Sequence, residues 1–200
     1  TEIVMAGGIK RPPLKAFKPS PLTNKIITRV GKSFFGGDDT LLKTIVSIFE
    51  EEGFKIIGAN DLLTDLVAPE AVLTTTQPNE QAMQDIAYGF QQMKDFGKLD
   101  IGQALIVGNG AVLGKEDAGG TDALIKRCVG TPTGILIKAR KSGQEERVDM
   151  PSIGVETIRN LHAAGFAGVA VEAGGALIIR RNEVINLANE LGLFVIGYKA

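Results

Sequence analysis

"QALIVGNGAVLGKEDAGGTDALIKRCV" (103–129) decides how the second half of the chain is built. Two apolar runs, 104–107 and 111–113, flank Gly108-Asn109-Gly110. Asn-Gly between apolar runs is a strong hairpin signal, because a two-residue turn needs residues that tolerate positive φ. Gly119-Gly120 then breaks the chain, and a helical pattern follows, with Thr121 or Asp122 expected as its cap. A hairpin that feeds a helix points to a mixed α/β fold.

The segments on either side extend this reading. "GILIKARKSGQEERVDM" (134–150) reads as a strand pair around Lys141-Ser142-Gly143, and "PSIGVETIRNLHAAG" (151–165) as a helix stopped by Gly165. "FAGVAVEAGGALIIRR" (166–181) reads as another hairpin, around Gly174-Gly175. A helix (182–192) and a closing strand, "LFVIGY" (193–198), complete the series. Toward the N-terminus, "EQAMQDIAYGFQQMKDFG" (80–97) is a helix stopped at Gly97. "VAPEAVLTTTQPNE" (67–80) has prolines, a threonine run and no period, so residues 67–79 are expected to link two domains. Residues 80–200 then form a second, mixed α/β domain.

Residues 1–66 form the first domain. "EIVMAG" (2–7) is a strand that ends in Gly7-Gly8. "DDTLLKTIVSIFEEEGF" (38–54) is a helix with acids at its start and Gly53 as its stop, "KIIGA" (55–59) a strand, and "NDLLTDL" (60–66) opens like a capped helix. An apolar strand at the very start of a chain needs neighbours, so this domain is expected to be the C-terminal part of a truncated one.

Composition narrows the function classes. The 200 residues are 44 % hydrophobic and 22 % charged, with a formal net charge of −1. There is no basic excess, so no nucleic-acid partner is expected. The single cysteine, Cys128, excludes an intramolecular disulfide and any multi-cysteine zinc site. The longest nearly uncharged run, "AAGFAGVAV" (163–171), is too short to cross a bilayer. No serine-triad or thiol motif is present, and the one histidine, His162, lies inside a helical pattern, where a structural role is the common one.

What remains is a set of acids, glycines and cations at strand ends. Glu116 and Asp117 close the first hairpin, Asp122 opens a helix, Asp149 ends a strand-like run, and Glu172 precedes a glycine turn. Carboxylates are ligands for hard cations, which keep coordination positions for substrate phosphates. Each of these acids has an equally ordinary reading as a cap or a solvated edge. Gly119-Gly120-Thr121-Asp122 is a turn and cap, or a set of N–H groups facing a phosphate. Lys138, Arg140, Lys141 and Arg147 decorate a solvated hairpin, or hold a diphosphate.

Several stretches together resemble one family. "VMAGGIKRP", "GDDTLL", "EEEGFKIIGANDLL", "DIGQALIV", "GGTDALIKRC", "GILIKARKSGQEERVDMPSIG" and "GFAGVAVEAGGALII" are similar, in order and spacing, to the LpxI-type UDP-2,3-diacylglucosamine pyrophosphatases. "VDMPSIG" and "VAVEAGG" are the most specific. The resemblance implies a Rossmann-like N-terminal domain, a C-terminal α/β domain and a lipid product held between them. It implies hydrolysis of UDP-2,3-diacylglucosamine to UMP and 2,3-diacylglucosamine 1-phosphate in bacterial lipid A biosynthesis, with Mg²⁺ or Mn²⁺. Family members also begin with a glycine-rich segment that this sequence does not contain, which agrees with the truncation expected above.

Carried over by position, the family's catalytic acid falls on Asp149. Its Gly-Thr-Asp block falls on Gly120, Thr121 and Asp122, and its lysine and glutamine on Lys138 and Gln144. An acid usual before Gly-Thr-Asp is Gly119 here, with Asp117 as a nearby substitute; Met150 and Ser152 are milder departures. The expected metal ligands are Asp149, Asp122 and Glu116. The expected substrate contacts are Gly120, Thr121, Lys138, Lys141, Gln144 and Glu172.

An acyl groove is expected along 163–171 or beside Ile86 and Phe90. The expected partners are the acylated UDP-sugar and the inner-membrane surface, met from the cytoplasm, with "IKRPPLKAFK" (9–18) either touching anionic lipid or forming a solvated loop. A homodimer is one assembly this reading allows. The rival readings are a non-catalytic protein that binds a nucleotide or an acylated sugar, and a hydrolase of other nucleotide diphosphates.

Overall fold

The computed structural model describes residues 1–7, 18, 20–31, 33, 38–96, 102–130, 133–141 and 143–200. Residues 9–17 of the basic segment, and Gly97, lie outside them. The fold is mixed α/β and divides into two compact units, one of Thr1–Leu62 with Gln144–Asp149, the other of Leu63–Gly143 with Met150–Ala200.

In the first unit, strand β1 (Glu2–Val4) pairs in parallel with β2 (Lys55–Ile57). Helices α1 (Pro21–Val30) and α2 (Asp38–Glu51) lie between them in the chain, and α3 (Ala59–Leu62) follows β2. Ser20 caps α1 by accepting from the Thr23 amide, and Pro21 at the first helical position fits there because its missing N–H would have no partner. Gly53 takes φ 87° where the chain leaves α2, a conformation glycine adopts without strain.

The second unit is built on a six-stranded sheet. Its strands are β3 (Ala71–Val72), β4 (Ala104–Gly108), β5 (Ala111–Lys115), β6 (Ile135–Lys138), β8 (Gly168–Glu172) and β10 (Phe194–Tyr198), in the order β3-β10-β8-β6-β4-β5. The central β10, β8 and β6 run parallel; β3, β4 and β5 pair antiparallel. Two short strands, β7 (Ser152–Ile153) and β9 (Leu177–Ile178), pair separately.

Strand alternation separates two apolar faces. Leu105, Val107, Ile135, Ile137, Phe194 and Ile196 pack with Ile86, Phe90 and Met93 of helix α4 (Glu80–Phe96). Ile106, Leu136, Val169, Val171 and Val195 face the opposite layer, with residues of α5 (Gly120–Arg127), α6 (Val155–Ala164) and α7 (Arg181–Glu190). Helices cover both faces, and this explains why the central strands read as unbroken apolar runs. The α4 layer approaches closely at Gly89, where a Cβ would lie 2.7 Å from Ile137 Cγ1.

Five expectations are corrected here. Residues 67–79 are not a free linker, because Ala71 and Val72 pair with Gly197 and Ile196 of β10. Residues 166–181 do not form a hairpin: β8 pairs in parallel with β6 and β10, while β9 pairs with β7. The helix expected over 151–165 begins at Val155, after β7. Residues 144–149 are not a strand; Val148 and Asp149 donate their amides back to the Glu145 carbonyl, which folds the segment into a turn. Ile86 and Phe90, expected beside an acyl groove, are 0 % and 3 % exposed, and 168–171 is a core strand, so both stretches are packed interior.

The first hairpin forms where expected, and Asn109 (φ 52°) and Gly110 (φ 73°) supply its turn. A buried acid that the sequence reading passed over pins it. Asp85 of α4, 2 % exposed, accepts from the Asn109 amide at 2.9 Å and the Gly110 amide at 2.7 Å. Replacing Asp85 with Ala leaves two amides without their acceptor and should cost about 2–3 kcal/mol. A thermal melt checks this; a drop of roughly 5–10 °C is expected for a chain of this size.

Candidate functional site

The register of the sheet brings several expected site residues to one edge. Ala104 lies opposite Lys138, Leu105 opposite Lys115, Lys138 opposite Val171, and Glu172 opposite Tyr198. Gln103, Glu116, Lys138 and Glu172 therefore share the edge where the parallel strands end in their carboxyl termini. Open α/β sheets bind ligands outside that edge. Helix α5 begins there too, since the chain passes from Lys115 to Gly120 in five residues.

At the centre is a chain of hydrogen bonds. Glu116, 8 % exposed, accepts at Oε1 from the Thr121 hydroxyl (2.6 Å) and at Oε2 from the Gln103 amide (2.6 Å). Lys138, 9 % exposed, donates from Nζ to Thr121 Oγ1 (3.1 Å) and to the Ser152 carbonyl (3.0 Å). A buried ammonium and a buried carboxylate are thus connected through one hydroxyl, which partly offsets the cost of taking both out of water. Gly102 is required beside them, because a Cβ there would lie 2.7 Å from Glu116 Cβ.

The entry to α5 differs from expectation. Gly119 occupies the cap position, and no side chain caps the helix. Thr121 is turned to Glu116 instead, and Asp122 Oδ1 accepts from Asn160 Nδ2 of α6 at 2.9 Å. Gly120 takes φ 77°, where a side chain would be strained. Asp117 accepts from the Gly119 amide and pairs with Arg127; the Gly119 N–H, then the Arg127 charge, hold its carboxyl below the usual carboxylate range.

Glu172 closes the edge as one half of an ion pair. Its Oε2 accepts from the Arg140 backbone amide (2.9 Å) and Nε (3.2 Å), and its Oε1 from the Arg140 terminal guanidine nitrogen (2.9 Å). Gly175 leaves room for this fork; a Cβ there would meet Glu172 and Arg140 within 2.6 Å. The sequence reading named both residues but not their pairing, because they lie 32 positions apart. Lys141 is half-buried nearby in the chain. His162 sits exposed in the last turn of α6.

Asp149 and Gln144 belong to the first unit. Their segment is held there by Arg147, which donates Nε and a terminal nitrogen to Glu145 (2.8 and 2.9 Å), and others to Glu50 and the Ile56 carbonyl. The Glu145 amide in turn donates to Asp39 Oδ1. Asp149 is half-buried at the end of this turn, and Gln144 is buried at its start. Among the described residues no three His, Cys, Asp or Glu side chains converge as a metal cage.

The Arg147 hydrogen bond pulls the Glu145 carboxyl below its ordinary value of 4.5. A carboxyl lowered in the folded state stabilises the fold above its unfolded pKa, and this contribution is lost as the pH falls through the folded value. The turn that carries Asp149 should therefore loosen below about pH 4.5. Hydrogen exchange at the Asp149 amide between pH 6 and pH 3.5 would show this as lost protection, after correction for intrinsic rates. Glu145→Gln should lower protection already at pH 6 and remove the pH dependence.

Comparison with known proteins agrees with the resemblance in the motifs. Residues 1–66 match the family model of the LpxI N-terminal domain, and residues 69–196 that of the LpxI C-terminal domain. The chain is similar to a Caulobacter vibrioides protein described as UDP-2,3-diacylglucosamine pyrophosphatase LpxI, with 38 % identity over 205 aligned residues. That alignment covers 98 % of this chain and 73 % of the relative.

Proposed function

The chain belongs to the LpxI family, and from that premise we propose that it hydrolyses the diphosphate of UDP-2,3-diacylglucosamine, giving UMP and 2,3-diacylglucosamine 1-phosphate, a step of lipid A biosynthesis. The observation that carries this reading is the match across both domains to a relative with that named activity. The edge of the second unit supports it, because a diphosphate needs cations and N–H donors and this edge offers Lys138 and the start of α5.

Roles follow from the chemistry. Phosphoanhydride hydrolysis needs negative charge neutralised and a water molecule aligned in line with the leaving group. Lys138 supplies positive charge at the edge. The amides of Gly119 and Gly120 already donate to Asp117, so the N–H groups that follow them in the first turn of α5 would donate to phosphate oxygens, and Lys141 would add a second cation. Gln144 is a donor for the substrate, and Glu172 keeps Arg140 in place for it. Asp149 would orient the attacking water and take up its proton; it lies three residues along the chain from Ser152, whose carbonyl holds Lys138.

A divalent cation, Mg²⁺ or Mn²⁺, would neutralise the diphosphate when bound. Mg²⁺ commonly sits on substrate phosphates with only one or two protein carboxylates, so no three-acid cage is required. Asp149 and Asp122 are the carboxylates proposed for it. A substrate with two acyl chains resides in a bilayer. No helix among the described residues is long and apolar enough to cross one, so the proposed access is peripheral, from the cytoplasmic face of the inner membrane.

The test is direct. Purified chain with Mg²⁺ or Mn²⁺ should release UMP from UDP-2,3-diacylglucosamine and leave unacylated UDP-sugars intact. Equal turnover of both substrates would favour a general nucleotide-diphosphate hydrolase instead.

A further inference from the structure

We infer that Glu116 is a positioning residue that holds Lys138 through the Thr121 hydroxyl, and that Thr121 therefore acts on the substrate only by way of Lys138. The inference rests on the proposed diphosphate hydrolysis and assigns it an inner set of residues.

The proton count of Thr121 decides the matter. A hydroxyl has one hydrogen and two lone pairs. The hydrogen of Thr121 lies between its Oγ1 and Glu116 Oε1, at 2.6 Å, the length of a hydrogen bond to an ionised acceptor. A phosphate oxygen accepts and does not donate, so Thr121 has no proton for it while this bond stands. Its lone pairs face the other way, toward Lys138 Nζ at 3.1 Å. The carboxylate thus polarises the hydroxyl and makes it a better acceptor for the ammonium.

Glu116 is itself fixed from two directions. Its Oε2 accepts from the Gln103 amide, and its own amide donates to the Ala104 carbonyl at 3.0 Å. A Cβ at position 102 would lie 2.7 Å from its Cβ and 3.0 Å from its Cγ, so Gly102 leaves the space that the side chain needs. Both oxygens accept from donors of the protein, so the carboxylate is held in one orientation. Lys138 is a long side chain with several rotatable bonds. Anchored by Thr121 and by Ser152, its charge stays at one point of the edge, which makes the electrostatic contribution preorganised.

The experiment compares Glu116→Gln, Thr121→Val, Thr121→Ser and the double variant Glu116→Gln with Thr121→Val. Two readouts are used: steady-state UMP release over a titration of Mg²⁺, and acetylation of Lys138 by acetic anhydride, followed by mass spectrometry. The expected result is a fall in kcat of about 10–100-fold in both single variants, with KM and the half-saturating Mg²⁺ concentration unchanged. The double variant should be no worse than the worse single one, since both break one chain of bonds. Thr121→Ser should restore most of the activity. Acetylation of Lys138 should rise severalfold in Glu116→Gln and Thr121→Val, and not in Thr121→Ser. A shift of tenfold or more in the Mg²⁺ requirement of Glu116→Gln would make Glu116 a cation ligand and overturn the inference. So would additive losses in the double variant. The acetylation readout needs no substrate: unchanged Lys138 labelling in both variants overturns the inference even if UMP release is absent, whereas absent UMP release with increased labelling overturns only the proposed reaction.

Discussion

Asp149→Asn should lower UMP release by about 10³-fold or more, with the fold unchanged. The substitution keeps the volume and shape of the side chain, removes its charge and basicity, and replaces one acceptor oxygen with an NH₂ donor. Asp149 is half-buried, and its structural tie is its backbone amide, which donates to the Glu145 carbonyl at 2.9 Å. That bond does not involve the carboxylate, so a melting temperature within a few degrees of the parent is expected. Steady-state kinetics at saturating Mg²⁺, beside a thermal melt, separates loss of chemistry from loss of fold. Near-normal turnover in this variant would remove Asp149 from the mechanism.

Lys138→Met should be nearly as damaging, with a loss of about 10²–10³-fold. Methionine fills a similar volume in a site that is 9 % exposed, so the aliphatic packing of the strand end survives. The charge does not. The substitution also leaves Thr121 Oγ1 and the Ser152 carbonyl facing an apolar group, so a modest loss of stability is expected alongside. The loss should exceed that of Thr121→Val, because the latter displaces the ammonium and the former deletes it. If Lys138→Met were the milder of the two, the charge at this position would not be what the reaction uses.

The sequence made most elements of the fold legible for identifiable reasons. Asn109-Gly110 demanded a tight turn, and a hairpin forms there. The apolar spacing of 38–51, 80–96 and 182–190 belongs to helices in the structure. The failures share one cause: partners distant in the chain. Gly174-Gly175 looks like a hairpin tip when read locally, but β8 is a central parallel strand whose neighbours are β6 and β10. Residues 144–149 have strand-like alternation, yet Arg147 finds Glu50 and the Ile56 carbonyl, 97 and 91 positions away, and the segment turns toward them. Ala71-Val72 carries almost no strand signal by itself; it is a strand because β10 has an open edge to pair with.

The candidate site was legible as a list of residues and not as an arrangement. Motif resemblance pointed to Thr121 and Lys138, and the acids at strand ends to Glu116, and nothing in their spacing says that one hydroxyl connects the other two. Gly102 and Gln103 drew no attention, since a glycine that leaves room for a neighbouring side chain and a backbone amide donor leave no mark on composition. Asp85 was hidden inside a well-formed helical pattern, where an acid reads as solvated. One signal was available: an acid on the apolar stripe of a helix whose neighbours Ile86, Gly89 and Phe90 are all buried. The acyl groove was misplaced because an apolar run looks the same whether it walls a cleft or fills a core.

A single-turnover reaction in ¹⁸O-labelled water, run with the parent chain and with Asp149→Asn, tests the central claim most directly. The account predicts UMP and an acylated sugar phosphate in equal amounts from the parent chain, one ¹⁸O atom in one of the two phosphates, and neither product from the variant on the same timescale. Substrate bound by the parent chain without release of UMP, or UMP released with no label in either product, would contradict it.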